Sequence, residues 1–177
     1  AHRLKVGDAE VIVLSDGIME QPTALMMPGR ETAEIAATFK AAGAEFAGLT
    51  AQLNVAVVRV GAETILIDAG GGTEFLPSLG KLEAQLTAAG IKPDAITRVI
   101  FTHAHPDHFW GLVDPLTGDS AYEKAVHVMA GAERDFWLQA DVETRVPEAF
   151  KGMAAGTHRR LKAVAARVTT ARPGDEV

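Results

Sequence analysis

The stretch FTHAHPDHFWG, residues 101–111, places three histidines and one aspartate within positions 103–108, between an apolar run and a glycine. His103 and His105 are two residues apart, so an extended backbone sends both rings to the same side, where one metal ion can take both. Pro106 cannot continue a regular strand and turns the chain, which lets Asp107 and His108 face a second position close to the first. That arrangement suits two neighbouring ions. Imidazole and carboxylate donors without thiolate fit zinc best and also admit iron, manganese, cobalt or nickel. The competing reading is a structural zinc site, but such a site is a closed cage of four ligands that usually includes cysteine, and the chain has none.

Outward from the cluster, the β-branched run TRVIFT (97–102) predicts a strand leading straight into it, so the histidines sit at a strand's C-terminal end. Upstream, NVAVVRV (54–60) and ETILID (63–68) flank Gly61-Ala62 and predict a hairpin of largely apolar strands, followed directly by AGGGT (69–73). A helix is expected over roughly 78–89, ending at Gly90. At the N-terminus, RLKV (3–6) and EVIVLS (10–15) flank Gly7-Asp8-Ala9 as two strands and a turn, and LSDG (14–17) closes the second strand. Residues 18–30 read as a loop. Residues 31–42 read as a helix, with Ile35, Ala36, Phe39 and Ala42 on one face. Beyond the cluster, AVHVMA (125–130) predicts a strand and AERDFWL (132–138) a short helix. Residues 147–166 predict a longer helix with Pro147 in its first turn. There is no internal repeat, and residues 1–177 are read as one domain.

Composition narrows the function. A net charge of −6 disfavours a polyanionic partner, and with it a nuclease, because nucleic-acid binding draws on clustered Lys and Arg. The one basic run, HRRLK (158–162), reads as a solvated helix face. No apolar run approaches the length of a membrane span, so no membrane partner is expected. The lone histidines His2, His127 and His158 are read as surface or hydrogen-bonded structural residues. Because the chain opens at Ala1 and not at methionine, removal of a leader or expression segment is expected, which leaves both cytoplasm and periplasm open.

THAHPDH (102–108) resembles the THxHxDH signature of the metallo-β-lactamase-fold hydrolases. The resemblance implies that His103 and His105 ligate a first zinc while Asp107 and His108 serve a second. LIDAGGG (66–72) is similar to the family's LIDTG-like stretch, which makes Asp68 a residue that orients the metal loop through hydrogen bonds. Many members carry a glycine pair after the signature. Here Phe109 and Trp110 stand before Gly111, either as walls of a substrate pocket or as core packing. VLSDG (13–17) and the long run of strands before the motif look like the branch that contains methyl parathion hydrolase and related lactonases.

The fold implied is α+β: the N-terminal half of a four-layer αββα sandwich, a mixed sheet with helices on its outer face. The family's downstream ligands, a GHTxGH-like histidine, a bridging aspartate and a final histidine, do not follow His108, and TTARPGDEV (169–177) closes on a turn. The expectation is therefore a domain lacking its C-terminal half. The activity implied is attack of a hydroxide shared by two zinc ions on an ester, lactone or phosphotriester, with Asp107 helping to orient it or accept a proton. β-Lactam hydrolysis and glyoxalase II-like thioester hydrolysis are alternatives. A rival of another class is an inactive metal-binding fragment that needs the missing half. The partners expected are a small-molecule substrate and either a second copy of the chain or that half.

Overall fold

Left-handed glycines make both early hairpins: Gly7 (φ 59°) turns β1 (His2–Val6) into β2 (Ala9–Gln21), and Gly61 (φ 56°) turns β3 (Leu49–Val60) into β4 (Glu63–Ile67). These elements come from a computed structural model that describes residues 1–177. Between the hairpins lie α1 (Thr23–Met26) and α2 (Thr32–Ala41). After β4 come α3 (Gly72–Phe75), α4 (Leu82–Ala88), β5 (Arg98–Ile100) and α5 (Pro106–Phe109). The chain continues through β6 (Val126–Ala130), α6 (Gly131–Trp137), α7 (Lys151–Val164) and β7 (Val168–Ala171).

The strands form one seven-stranded sheet in sequence order. The three pairings from β1 to β4 are antiparallel and the three from β4 to β7 parallel. Parallel neighbours need crossovers, which the helices supply. The result is a mixed sheet with helices, as the resemblance implies. No helix is long and apolar enough to cross a membrane.

Strand alternation decides which face is covered. Ile12, Leu14, Val55, Val57, Leu66, Val99 and Met129 join Leu82 and Leu86 of α4 and Leu161 and Val164 of α7 in one buried core. The opposite face carries Val11, Val13, Val58, Ile65, Ile67 and Ile100, all half-buried and outside that core.

Several expected boundaries move, with β3 opening at Leu49 and α4 at Leu82, and three further local expectations change. β2 runs on to Gln21, through part of the expected loop, because a register shift between Ser15 and Gly17 bulges the strand at Asp16 and lets pairing resume. The bulged Asp16 is fully buried and accepts from the backbone N–H groups of Gly71 and Leu82, both at 2.9 Å. Second, Pro147 precedes a 3-10 turn (Glu148–Phe150), and α7 begins only at Lys151. Third, Val168–Ala171 pairs with β6, although four residues next to a turn carry too little pattern to announce a strand.

Candidate metal centre

β4 and β5 are parallel neighbours, and the chain leaving the end of each builds the site, where open sheets commonly place ligands. The segment after β4 is laced to the segment after β5 by backbone bonds: Asp68 N to Ile100 O (2.9 Å), Ala69 N to His108 O (2.7 Å) and Gly111 N to Gly70 O (3.0 Å). Gly111 is required here, because a Cβ at that position would lie 2.1 Å from the Ala69 carbonyl oxygen.

Within this frame the histidine rings face one another. The His103 and His105 centroids are 4.6 Å apart, and those of His103 and His108 are 4.1 Å apart. His105 is exposed and His103 half-buried. Pro106 opens α5 at its first position, which turns Asp107 and His108 into one short helix. Asp107 Oδ2 lies 3.2 Å from His108 Nε2.

Asp68 lies under the loop. One oxygen accepts from the Thr102 N–H (2.8 Å), the Thr102 hydroxyl donates to the carboxylate (2.8 Å to Oδ2), and His108 Nδ1 lies 2.8 Å from Oδ2. The Thr102 oxygen has given its hydrogen to Asp68, so it accepts from His103 Nδ1 at 3.0 Å. Through these two routes one carboxylate fixes both Nδ1–H groups and leaves the Nε2 of His103 outward. Thr102 was missed as a site residue. Its only signal was its place between strand and cluster.

Burial works against a charged His108, but hydrogen bonds to Asp107 and Asp68, with the charges of both, outweigh it and push its pKa up to about 9. Burial, then the charges of His108 and His105, hold His103 below the ordinary imidazole value. Burial would raise Asp107, but the His108 hydrogen bond and the histidine charges lower it.

One pair of donors is spaced as on a divalent ion. At the usual zinc–donor distance, two donors on one tetrahedral ion stand about 3.4 Å apart, close to the 3.2 Å between Asp107 Oδ2 and His108 Nε2. A carboxylate on Nδ1–H is also the usual support for a histidine that ligates through Nε2. No group of three or more His, Asp or Glu side chains is set to hold an ion, so convergence stops at pairs. Both His108 nitrogens are engaged by carboxylates.

The two rings after the cluster part company. Phe109 is fully buried and stacks edge-on against Phe101 at 5.0 Å, so it is a core residue and not a pocket wall. Trp110 lines a cavity of about 380 Å³ with Glu74, Glu83, Tyr122 and Arg160. None of His103, His105, Asp107 and His108 lines that cavity, which lies apart from the cluster. Of the lone histidines, His127 is fully buried with Nε2 3.1 Å from Ser120 Oγ, and His158 Nδ1 bonds the Trp137 carbonyl at 2.9 Å.

Two further side chains reach the loop from outside it: Glu133 of α6 bonds the Ala104 N–H, and Thr157 of α7 bonds the Ala104 carbonyl. Sequence reading missed both, because they lie 29 and 53 residues from Ala104.

Comparison with known proteins agrees with this architecture. Among solved structures, AidC, described as a dizinc quorum-quenching lactonase, aligns over 99% of this chain and 62% of its own with a TM-score of 0.88 and 24% identity. The hydrolase AbOPH aligns over the same shares with a TM-score of 0.85 and 25% identity. Zinc phosphodiesterase ELAC protein 1 of Mus musculus is 35% identical over 75 residues, which are 42% of this chain and 18% of that protein. The human protein of that name matches to the same extent. This chain thus spans under two thirds of the solved relatives and a smaller part of the curated ones. The sequence profile described as the Metallo-beta-lactamase superfamily matches residues 50–144, from β3 through the histidine cluster to the turn after α6. A match across more than half of the 177 residues, on a sheet that superposes on these hydrolases, places the chain in the metallo-beta-lactamase superfamily.

Proposed function

We propose that the chain carries part of the centre of a metal-dependent hydrolase acting on an ester, lactone or phosphotriester. His103 and His105 would hold one divalent ion, zinc foremost, and Asp107 and His108 a second. The observation that carries the reading is the Asp68 network, which turns His103 and His108 so that each directs Nε2 away from its support, with Asp107 Oδ2 3.2 Å from the latter. The names of the zinc phosphodiesterase and of the hydrolase AbOPH support zinc and hydrolysis. When bound, such ions supply Lewis acidity and a water acidic enough to attack at neutral pH. The residues of this chain do the rest: Asp68 orients, Thr102 relays that orientation to His103, and Asp107 stands where it can hold a proton. Four side chains divided between two ions give two each, below the three protein ligands usual for catalytic zinc. The site would therefore draw further donors from outside these four.

A second reading, a metal-binding segment without turnover of its own, is favoured by the lack of any group of three ligands. One experiment separates the two. Aryl esters, lactones, phosphotriesters, phosphodiesters and β-lactams are assayed with this chain, and with a chimera in which a solved relative supplies the remainder of the fold. The 177-residue chain is expected to bind zinc at micromolar affinity or weaker with negligible turnover. The chimera is expected to hydrolyse at least one class only with metal, and to stop on His103→Ala. A folded, zinc-loaded chimera inert on every class would sink the hydrolase reading.

A further inference from the structure

Ala104, between His103 and His105, is fully buried, yet neither its N–H nor its C=O pairs with backbone. Both are taken by side chains from the two helices that follow β6. The N–H donates to Glu133 Oε1 at 2.8 Å, and the carbonyl accepts from Thr157 Oγ1 at 3.2 Å. Each gripping group is itself held. Glu133 Oε1 also accepts from the Trp137 indole N–H at 2.6 Å, and the Thr157 oxygen accepts from the Trp110 indole N–H at 2.9 Å. The second bond leaves the threonine hydrogen free to point at Ala104. Thr157 is fully buried, so water does not compete there.

From this geometry we infer that Glu133 and Thr157 are positioning residues, which set the directions of His103 and His105 by clamping the two peptide planes between them. The inference rests on the metal reading given above. Its physics is the planarity of the peptide. The Ala104 N–H lies in the plane that joins it to His103, and the Ala104 carbonyl lies in the plane that joins it to His105. Two fixed planes leave each histidine little backbone freedom, so its Cα–Cβ direction is set from outside the loop. Asp68 acts on the ring nitrogens of His103 and His108 and makes no bond to His105. His105 is the exposed histidine of the pair, and apart from His103, 4.6 Å away between centroids, its ring meets the edge of Trp137 at 6.0 Å. Without the clamp the peptides between the first pair of donors would lose their support from outside the loop.

The test uses the whole chain and zinc. Affinity is read by competition with a chromophoric chelator, Ala104 amide exchange by NMR, and folding by circular dichroism. Glu133→Ala and Thr157→Val are expected to weaken zinc binding by about tenfold or more, the scale found when support of a ligand is removed, and to speed exchange at Ala104. Glu133→Gln keeps an oxygen that accepts both N–H groups, and Thr157→Ser keeps the hydroxyl. Both should bind within about threefold of the parent chain. If Glu133→Ala fails to fold, Glu133→Asp, which keeps the charge but shortens the arm, takes its place with the same expectation. Folded Glu133 and Thr157 variants that bind zinc as the parent does would overturn the positioning role and leave the metal reading intact. A parent chain that takes up no zinc, with Ala104 still slow to exchange, would overturn both.

Discussion

Asp68 is the one non-glycine residue with a left-handed backbone, at φ 62°. Aspartate tolerates that region better than most residues, though at some cost in strain. The strain is retained because it turns the carboxylate under the cluster, where it meets Thr102 and His108 together. Asp68→Asn is the informative substitution, since asparagine also accepts a left-handed backbone but presents one acceptor oxygen where the carboxylate uses two. The fold should survive, with circular dichroism unchanged, while zinc affinity falls by about 10- to 100-fold. Unchanged affinity in a folded Asp68→Asn chain would remove Asp68 from the site. The neighbouring residues show how much chemistry can be read from identity alone. His103, His105, Asp107 and His108 declare themselves by type and spacing. Phe109 and Trp110 do not: one ring entered the core and the other a cavity wall, and no feature of the pair foretells which.

At the scale of elements, α7 presses on the histidine loop through Trp110. The indole bonds Thr157, lies beneath the Arg160 guanidinium at 4.0 Å and meets Phe75 edge-on at 5.6 Å. Such close approach requires Gly156, because a Cβ there would come within 2.4 Å of the Trp110 ring. Gly152, one turn earlier on the same helix, has nothing within 4 Å. The two glycines should therefore respond in opposite directions. Gly156→Ala is expected to lower the unfolding free energy by about 1–3 kcal/mol through overpacking. Gly152→Ala should raise it by about 0.5–1 kcal/mol through helix propensity and loss of unfolded-state freedom. Urea denaturation of both variants checks this, and equal effects would show that the indole contact is not tight. The helix was legible as a helix from its sequence. Its pressure on the cluster was not, since a mid-helix glycine reads locally as a weak point and shows its use only against the partner ring.

For the whole molecule, the two faces of the sheet are treated unequally. Helices cover one, while strand register lines up the other in rows. Val11 pairs with Val58 and Val58 with Ile65; Val13 pairs with Ala56, Ala56 with Ile67 and Ile67 with Ile100. Contiguous aliphatic rows outside the core favour association. The 177-residue chain is accordingly expected to self-associate at micromolar concentrations, with sedimentation velocity showing a concentration-dependent rise in mass. Paired substitution of Val58→Lys and Ile67→Glu on that face should return it to monomer without loss of helix or sheet. A monomer at all concentrations would show that half-burial already satisfies these side chains.

The sequence by itself determined what is local. Spacing set the four donors at a strand end, β-branched runs and glycine turns laid out both hairpins and β5, and a short motif shared by many chains pointed to the superfamily. These signals survive in one dimension because they depend on neighbours a few residues apart. Tertiary structure decided what depends on who meets whom. It bulged Asp16 inward to accept from Gly71 and Leu82, recruited four residues beside a turn as β7, and brought Glu133 and Thr157 across 29 and 53 residues to the backbone of Ala104. A buried N–H or carbonyl must find a partner, but the chain does not say where that partner lies; packing of α6 and α7 against the end of β5 supplies the answer.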